Sequence, residues 1–143
     1  MQTIPFHKTG YFSKTICDYL AEDKKIKPFY NNFPDLDGFK QQIKDKKMSG
    51  RAESRPILVK SLEKQYQYLN SSAKTAQNIQ SLLSENTFTI TTGHQLNLFT
   101  GPLYFLYKIV SVLNLVERLK IEFPERNFVP IYWMATEDHD FDE

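Results

Sequence analysis

The sequence predicts an α/β fold in which N-terminal helices precede the opening strand–helix–strand unit of a parallel sheet. Two short runs rich in β-branched or apolar residues, at 87–92 and 128–135, are typical of strands that are covered on both faces. The apolar segment 103–116 between them is too long for a strand and indicates a helix whose first half is buried. Because crossover connections are right-handed, the two strands should be parallel neighbours.

The region before the first strand is expected to be helical. Ser13 suits the N-cap of a short helix over 14–21. Asp35 or Asp37 suits the N-cap of a second helix that reaches about Lys47. Prolines and aromatic residues between these helices predict an irregular loop whose rings anchor it on the body of the protein.

One long helix is predicted at about 56–84. Pro56 suits a first helical turn, and no glycine or proline follows it before Gly93. Apolar side chains recur at alternating spacings of four and three residues, with Gln80 filling one gap: Leu62, Tyr66, Leu69, Ala73, Ala76 and Leu83. We interpret this helix as scaffold. Two regions are therefore expected, a helical segment over 1–86 and the start of a sheet core over 87–143 that is incomplete as a sheet.

The composition excludes several function classes. Lys and Arg number 18 against 17 Asp and Glu, and the net charge of +1 favours neither nucleic acid nor an anionic membrane as a partner. The single cysteine, Cys17, cannot form an intramolecular disulfide, and the N-terminus lacks the basic region and apolar run of a signal peptide. The longest apolar stretch is shorter than the roughly 20 residues that cross a bilayer. We therefore expect a cytoplasmic protein without a nucleic-acid or membrane partner.

The segment GHQLNLFTGP, residues 93–102, joins the first strand to the apolar helix. It places an imidazole, two amides and a hydroxyl before a helix N-terminus, whose unpaired N–H groups favour a carboxylate or a phosphate. Thr100 is expected to cap the helix, Gly101 to allow close approach, and Pro102 to lie in the first turn. The segment matches neither a P-loop nor GxGxxG. A purely structural turn, in which His94 only bonds a backbone carbonyl, is the alternative interpretation.

The segment EDHDFDE, residues 137–143, follows the second strand. One of its carboxylates could hold the His139 ring and make it an acid, a base or a cation near neutral pH. The same cluster could bind a divalent metal ion together with His94, or it could be a solvated terminus. Because ligands of open α/β sheets bind where the carboxyl ends of the strands meet, we expect both segments to face one crevice. Arg55 suits either a helix end or an anionic ligand.

Several short motifs occur in a specific order. The chain contains the segment TTGHQLNLFTGPLYFLYK and, further on, VPIYWMATEDHDFDE. Together they carry four motifs in order: TG-H/Q-Q, TGPLY, a lysine in the next helix, and VP-x-x-W-x-A-x-EDHDF. DYL and PFY come earlier, with Asn70 and Asn78 in the long-helix region. This order resembles the BshC family of bacillithiol biosynthesis cysteine-adding enzymes, and the resemblance covers nearly the whole chain. It implies catalytic roles for His94, Asp138, His139 and Asp140, and substrate-binding roles for Gly93, Gln95, Asn97, Thr100, Gly101 and Glu137.

The resemblance implies a Rossmann-like core, inserted segments and a helical coiled-coil domain that supports a homodimer. It implies a ligase that forms an amide bond between two small-molecule substrates, L-cysteine and glucosaminyl malate, in the last step of bacillithiol biosynthesis. The likeness of that family to class I aminoacyl-tRNA synthetases suggests ATP as a cofactor, and no metal is expected. No HIGH or KMSKS-type segment is present here, which leaves ATP use open. Family members continue well beyond the position of Glu143, so we expect an N-terminal piece that is inactive alone.

Two other functions fit the same residues. A metal-dependent hydrolase would use His94, Asp138, His139 and Asp140 as ligands around an activated water. A non-catalytic helical assembly module would use the apolar residues of 62–83 as a seam for a partner, with the acidic tail in solvent.

Overall fold

The structure, a computed structural model, describes residues 3–48, 52–97 and 101–136. Its elements are the 3-10 turns Phe6–Lys8 and Lys27–Phe29, helices α1 (Lys14–Leu20), α2 (Leu36–Met48), α3 (Ser54–Tyr66), α4 (Ala73–Ser81) and α5 (Leu103–Glu122), and strands β1 (Thr87–Gln95) and β2 (Asn127–Ala135). The predicted α/β class is confirmed. The chain forms two compact units, Met1–Ser49 and Gly50–Glu143, and α3 and α4 belong to the second with the strands.

The first unit contains two helices whose starts are capped by side chains. The Ser13 hydroxyl accepts a hydrogen bond from the Ile16 N–H at 3.3 Å at the start of α1. The Asp35 carboxylate accepts one from the Gly38 N–H at 2.7 Å at the start of α2. Such caps satisfy first-turn N–H groups that have no partner inside the helix. Both predicted helix starts are confirmed, with a cap supplied by Asp35.

The loop between α1 and α2 is held by aromatic rings and by amides. Three rings lie with centroids 5.1, 5.3 and 6.4 Å apart, those of Tyr19, Tyr30 and Phe33. The Asn32 and Gln41 amides donate to the Asp45 carboxylate at 3.0 and 2.7 Å. The hydrogen bond from Asn32, followed by that from Gln41, holds the pKa of Asp45 below its usual range.

The prediction of one helix over 56–84 is wrong, because the chain forms α3 and α4 with a break at 67–72. The Ser72 hydroxyl caps α4 by accepting a hydrogen bond from the Thr75 N–H at 3.1 Å. Asn70, Ser71 and Ser72 are consecutive, and side chains of these types compete with helical backbone hydrogen bonds. They therefore end one helix and start the next without glycine or proline.

The break allows α3 and α4 to pack together against β2. Val59 of α3 and Leu82, which follows α4, share a buried cluster with Ile79 and Val129. A continuous helix would hold Val59 and Leu82 roughly 35 Å apart at its rise of about 1.5 Å per residue. Leu62 and Tyr66 pack at the edge of the same cluster. Two of the side chains predicted to form a seam for a partner helix are therefore used inside the unit, whereas Leu69 and Leu83 of the same seam are exposed.

Arg55 ties these helices to the sheet. Its guanidinium donates to the carbonyl oxygens of Leu82 at 2.8 Å, Ser84 at 2.8 Å and Thr87 at 3.1 Å. The carbonyls of Leu82 and Ser84 lie just after α4, and that of Thr87 lies at the start of β1. The helix-end role is therefore confirmed for Arg55.

The two strands pair in parallel. The register runs from Thr87 opposite Asn127 to Gln95 opposite Ala135. This pairing confirms the predicted parallel neighbours and places the carboxyl ends of β1 and β2 side by side. Within the described residues, the sheet consists of these two strands.

β1 is longer than predicted. It continues three residues past 92, so Gly93, His94 and Gln95 are strand residues rather than loop residues. A Cβ atom at Gly93 would lie 2.8 Å from the Trp133 carbonyl oxygen, closer than real Cβ atoms come. Glycine therefore lets the strands stay paired here, and the ladder satisfies backbone groups that a loop would leave open.

Helices cover the sheet on both faces. Successive side chains of a strand point to opposite faces, so Phe128 and Val129 belong to different layers. Val129 packs with α3 and α4. The Phe128 ring lies 6.1 Å from that of Phe88 and 6.4 Å from that of Phe123, at the end of α5. The second unit is thus a three-layer α/β/α arrangement.

α5 buries its second half, whereas the sequence predicted burial of the first. Val116 and Leu119 are 1% and 0% exposed, but Leu103 and Tyr107 are 67% and 64% exposed. A sheet of two strands can cover only one narrow face of a helix. The rings of Phe88, Phe123 and Phe128 lie near the amino ends of the strands and pack beside the second half of α5. Pro102 is the N-cap of α5, one position before the predicted first turn. In the part of the chain that the structure describes, no helix is long and apolar enough to cross a membrane.

Candidate functional site

His94 lies near the carboxyl end of β1, on the face that α5 covers. Its ring centroid is 5.1 Å from that of Tyr104 and 6.0 Å from that of Phe105, both in the first turn of α5. The side chain is half-buried. The strand and the start of the helix therefore hold the imidazole between them.

Both ring nitrogens of His94 contact polar atoms of the chain. Nε2 is hydrogen-bonded to the Tyr104 hydroxyl. Nδ1 lies 3.0 Å from Asn97 Nδ2 and 3.1 Å from the Gln95 carbonyl oxygen. The Asn97 amide also donates to that carbonyl at 3.1 Å. The alternative interpretation, in which His94 only bonds a backbone carbonyl, therefore accounts for the contact of Nδ1 but not for that of Nε2.

Gly101 supports the position of Asn97. Its backbone has a φ of +65°, a conformation that residues other than glycine rarely adopt. A Cβ atom at Gly101 would lie 2.7 Å from Asn97 Cβ. The group that closely approaches Gly101 is Asn97, and the approach of a ligand to this backbone stays a prediction. Gly101 therefore lets Asn97 lie beside His94.

Two further side chains reach the carboxyl end of β1. Lys108 Nζ donates to the Gly93 carbonyl oxygen at 3.2 Å and lies 5.4 Å from the centroid of the Tyr104 ring, within the range of a cation–π contact. The Tyr132 hydroxyl of β2 lies 3.5 Å from the His94 carbonyl oxygen. The site thus gathers two phenols, an imidazole, an amide and an ammonium group.

Sequence reasoning assigned no role to Tyr104 or Tyr132, and it gave Lys108 as the lysine that the family motif places in the next helix. The spacing of Tyr104 and Lys108 was an available signal, because residues four apart share one face of a helix. Tyr132 gave no such signal. Its position depends on the register that places it opposite Thr92.

The structure brings together Gly93, His94, Gln95, Asn97 and Gly101 of the predicted site. Thr100, Glu137, Asp138, His139 and Asp140 lie outside the described residues, and their convergence on this site stays a prediction. Within 3–48, 52–97 and 101–136, no group of three or more His, Cys, Asp or Glu residues is placed to hold a metal ion.

Comparison with known proteins gives a match over the whole chain. The sequence model described as bacillithiol biosynthesis BshC, N-terminal Rossmann-like domain, matches residues 1–143. Three similar relatives carry the provisional name cysteine ligase BshC. That of Flavobacterium johnsoniae is 56% identical over 140 residues, that of Flavobacterium psychrophilum 58% over 141, and that of Christiangramia forsetii 55% over 140.

Each alignment covers 98% of this chain but 26%, 27% and 26% of the respective relative. The chain therefore spans about a quarter of the length of these relatives. The matched region is the one in which the family carries its first domain, and the parallel strand–helix–strand unit agrees with that description. The chain belongs to the BshC family and corresponds to its N-terminal Rossmann-like domain.

Proposed function

We propose that this domain works in a cysteine ligase that forms an amide bond between the carboxyl group of L-cysteine and the amine of glucosaminyl malate, the last step of bacillithiol biosynthesis. The observation that carries the proposal is the family match over residues 1–143. The names of the similar relatives support cysteine ligation. They give no support to a metal-dependent hydrolase or to a non-catalytic assembly module.

The geometry of the site supports a role in binding a carboxylate substrate. Tyr104, Lys108 and His94 bring a hydroxyl, an ammonium group and an imidazole to the carboxyl end of β1. This is the edge of an α/β sheet at which ligands bind. Amide formation builds negative charge on a carbonyl oxygen, and fixed donors aimed at such an oxygen stabilise the transition state.

We place His94 at the centre of this site, with Asp138, His139 and Asp140 as the other members of the proposed catalytic set. Gly93, Gln95, Asn97, Thr100, Gly101 and Glu137 complete the proposed substrate-binding set. An Asp carboxylate from the segment after β2 is suited to hold the amine of cysteine, while donors at the start of α5 hold its carboxylate. The positive amine and the negative carboxylate of cysteine would then each meet a protein group of the complementary charge.

ATP is proposed as the group that activates the carboxylate, and no metal is assigned to this domain. The residues present suit a phosphate, since Lys108 supplies a positive charge and hydrogen-bond donors. ATP would convert the carboxylate into a better acceptor for the amine. The chain's own residues would orient the two substrates and keep the reacting groups close.

An assay of the complete gene product tests this proposal. The purified protein is incubated with L-cysteine and glucosaminyl malate, with and without ATP, and the amide product is measured by mass spectrometry. We expect product formation that falls strongly in His94→Ala and stays unchanged in His7→Ala, a substitution at an exposed histidine of the first unit. Normal bacillithiol levels in a deletion strain, without accumulation of glucosaminyl malate, would contradict the proposal.

We also propose a cytoplasmic homodimer that acts on small molecules and requires neither nucleic acid nor a membrane. The dimer would rest on a helical coiled-coil domain, as the resemblance of the sequence implies. Light scattering of the complete protein during size-exclusion chromatography tests this, and a monomer at micromolar concentration would contradict it.

A further inference from the structure

The two ring nitrogens of His94 have different partners, and these partners fix where the ring hydrogen lies. Nδ1 is 3.1 Å from the Gln95 carbonyl oxygen. A carbonyl oxygen only accepts, so Nδ1 carries the hydrogen and donates it to Gln95. The Asn97 amide nitrogen, 3.0 Å from Nδ1, donates to the same oxygen at 3.1 Å, and the two lone pairs of the carbonyl accept both hydrogens. Nε2 is then the acceptor nitrogen of the neutral ring.

The Tyr104 hydroxyl is the group from which Nε2 accepts a hydrogen bond. The hydroxyl hydrogen is therefore directed at His94, and the oxygen keeps a lone pair for another donor. Tyr104 is 51% exposed and lies at the start of α5, so a substrate can reach this oxygen. The hydrogen bonds thus run in one direction, from Tyr104 to His94 and from His94 to Gln95.

This direction suits the removal of a proton from a substrate amine. An uncharged amine that attacks a carboxyl carbon forms the carbon–nitrogen bond and must then lose one proton. The Tyr104 oxygen can accept that proton while its own hydroxyl hydrogen passes to Nε2 of His94. The imidazolium that results keeps its Nδ1–H bond to the Gln95 carbonyl oxygen, and a hydrogen bond from a charged donor is the stronger kind. The leaving group departs from the carbon with its electron pair, and the imidazolium then gives its extra proton to water.

Lys108 favours the uncharged form of an amine beside Tyr104. Its ammonium nitrogen lies 5.4 Å from the centroid of the Tyr104 ring and donates to the Gly93 carbonyl oxygen at 3.2 Å. A nearby like charge disfavours the protonated form of a second amine. Only the uncharged amine has the lone pair that attack on carbon requires.

We propose that Tyr104 and His94 form a proton relay, in which Tyr104 takes the proton of the attacking amine and His94 receives the hydroxyl proton of Tyr104. Tyr104 is then a catalytic residue that touches the substrate, and the Gln95 backbone carbonyl positions the imidazole. The inference deepens the proposed function and rests on it for the identity of the amine, which is that of glucosaminyl malate. It identifies the group that deprotonates the amine, a role that no motif of the sequence assigns.

Kinetics of the complete protein test the relay. Amide formation is measured over a range of glucosaminyl malate concentrations, with the other substrates saturating. Tyr104→Phe keeps the ring and removes the hydroxyl, so we expect kcat to fall roughly 100-fold or more, with a much smaller change in KM for glucosaminyl malate. Tyr107→Phe removes the same group from an exposed tyrosine three residues later and should keep the parent values.

Variants of His94 separate a relay from a structural contact. His94→Gln offers a side-chain oxygen that accepts a hydrogen bond from the Tyr104 hydroxyl but does not take up its proton, so it should be as slow as His94→Leu. A purely structural role would be restored by the glutamine. Residues that pass one proton act as a unit, so Tyr104→Phe combined with His94→Leu should be no slower than the slower single variant. Urea unfolding of each variant checks that it is folded.

The position of the ring hydrogen has its own measurement. Nitrogen-15 spectra of the complete protein, labelled at histidine, are recorded at a pH well above the usual imidazole range. The His94 signals are assigned by their loss in His94→Leu. We expect the hydrogen on Nδ1.

Several results would overturn the inference: a hydrogen on Nε2, a parent kcat in Tyr104→Phe, recovery of the rate in His94→Gln, or losses that multiply in the double variant. The same assay separates this failure from that of the proposed function. Ligation at the parent rate by Tyr104→Phe rejects the relay and leaves the function standing. A complete parent protein that forms no amide from L-cysteine and glucosaminyl malate rejects the function, and the relay with it.

Discussion

Replacing Gly93 by alanine should force the two strands apart beside the candidate site. The added Cβ would lie 2.8 Å from the Trp133 carbonyl oxygen and 3.0 Å from Trp133 Cβ, whereas ordinary contacts begin at 3.4 Å. One strand must therefore move by roughly 0.5 Å, against the ladder that continues to Gln95. Overpacking of this kind costs about 1 to 3 kcal/mol. Alanine loses less backbone entropy than glycine, which offsets about 0.5 to 1 kcal/mol.

With the middle value of each range, the net expectation for Gly93→Ala is a loss of about 1.3 kcal/mol in the free energy of unfolding. Urea unfolding of the full chain, followed by Trp133 fluorescence, measures this loss. Thr91→Ala is the matched control, because it creates the same residue two positions earlier on the same face of β1, at an exposed site. The control should lose about 0.5 kcal/mol through β-propensity.

The same substitution should also disturb ligand binding, because the Gly93 carbonyl oxygen accepts the hydrogen bond from Lys108. Anion affinity should fall in Gly93→Ala and stay at the parent value in Thr91→Ala. Equal urea midpoints for the two variants would refute the close approach of the strands, and with it the explanation of why this position is glycine.

Three further predictions concern stability. Arg55→Ala should destabilise the second unit by about 2 to 3 kcal/mol, since it leaves three carbonyl oxygens without their charged donor. Urea unfolding measures this loss, with Arg118→Ala at an exposed arginine as the control. Equal losses in the two variants would contradict the prediction. Leu119→Ala should cost about 3 kcal/mol, because a fully buried side chain leaves a cavity; a loss under 1 kcal/mol by the same assay would mean that the core is not packed as described. The lowered pKa of Asp45 contributes stability above the unfolded-state pKa that is lost as pH falls through the folded value. Asp45→Asn should therefore be less stable than the parent chain at pH 7, and the difference should shrink as the pH falls below the unfolded-state pKa of Asp45. Thermal unfolding over a series of acidic pH values measures this, and a difference that does not change with pH would contradict the reasoning.

The parts of the fold that could be predicted depend on local chemistry. Ser13 and Asp35 cap helices because their side chains reach N–H groups three residues ahead. The strands could be predicted from composition, and their parallel pairing from the helix between them. Each of these inferences needs only neighbours in sequence or a general rule of handedness.

The break between α3 and α4 could not be predicted from periodicity, because the apolar spacing continues across it. Ser72 supplies a cap there, but a serine inside a helix is common enough that only tertiary packing decides. Val59 and Leu82 gain burial when the chain folds back, and that gain depends on Val129, far along the sequence. The strand end at Gln95 likewise depends on its partner Ala135.

The candidate site was predictable in its strand residues and not in its helix residues. Gly93 and His94 follow directly from the motif after the first strand. The contact of His94 with Tyr104 depends on how α5 leaves the segment after β1, which no local pattern specifies. The expectation that His94 faces a ligand directly arose because the motif contains no sign of the groups that surround the ring.

The length of α5 sets the pairing of the strands that it connects. At about 1.5 Å per residue its 20 residues span about 30 Å, and at about 3.3 Å per residue the nine residues of β1 span nearly the same distance. The helix thus returns the chain to the level at which Asn127 meets Thr87. Removing one helical turn would shorten the return by about 5.4 Å, or one to two strand residues, and an odd shift would exchange the two faces of β2. Strand register therefore constrains insertions and deletions in α5, whereas it does not constrain substitutions at the many exposed positions of the helix.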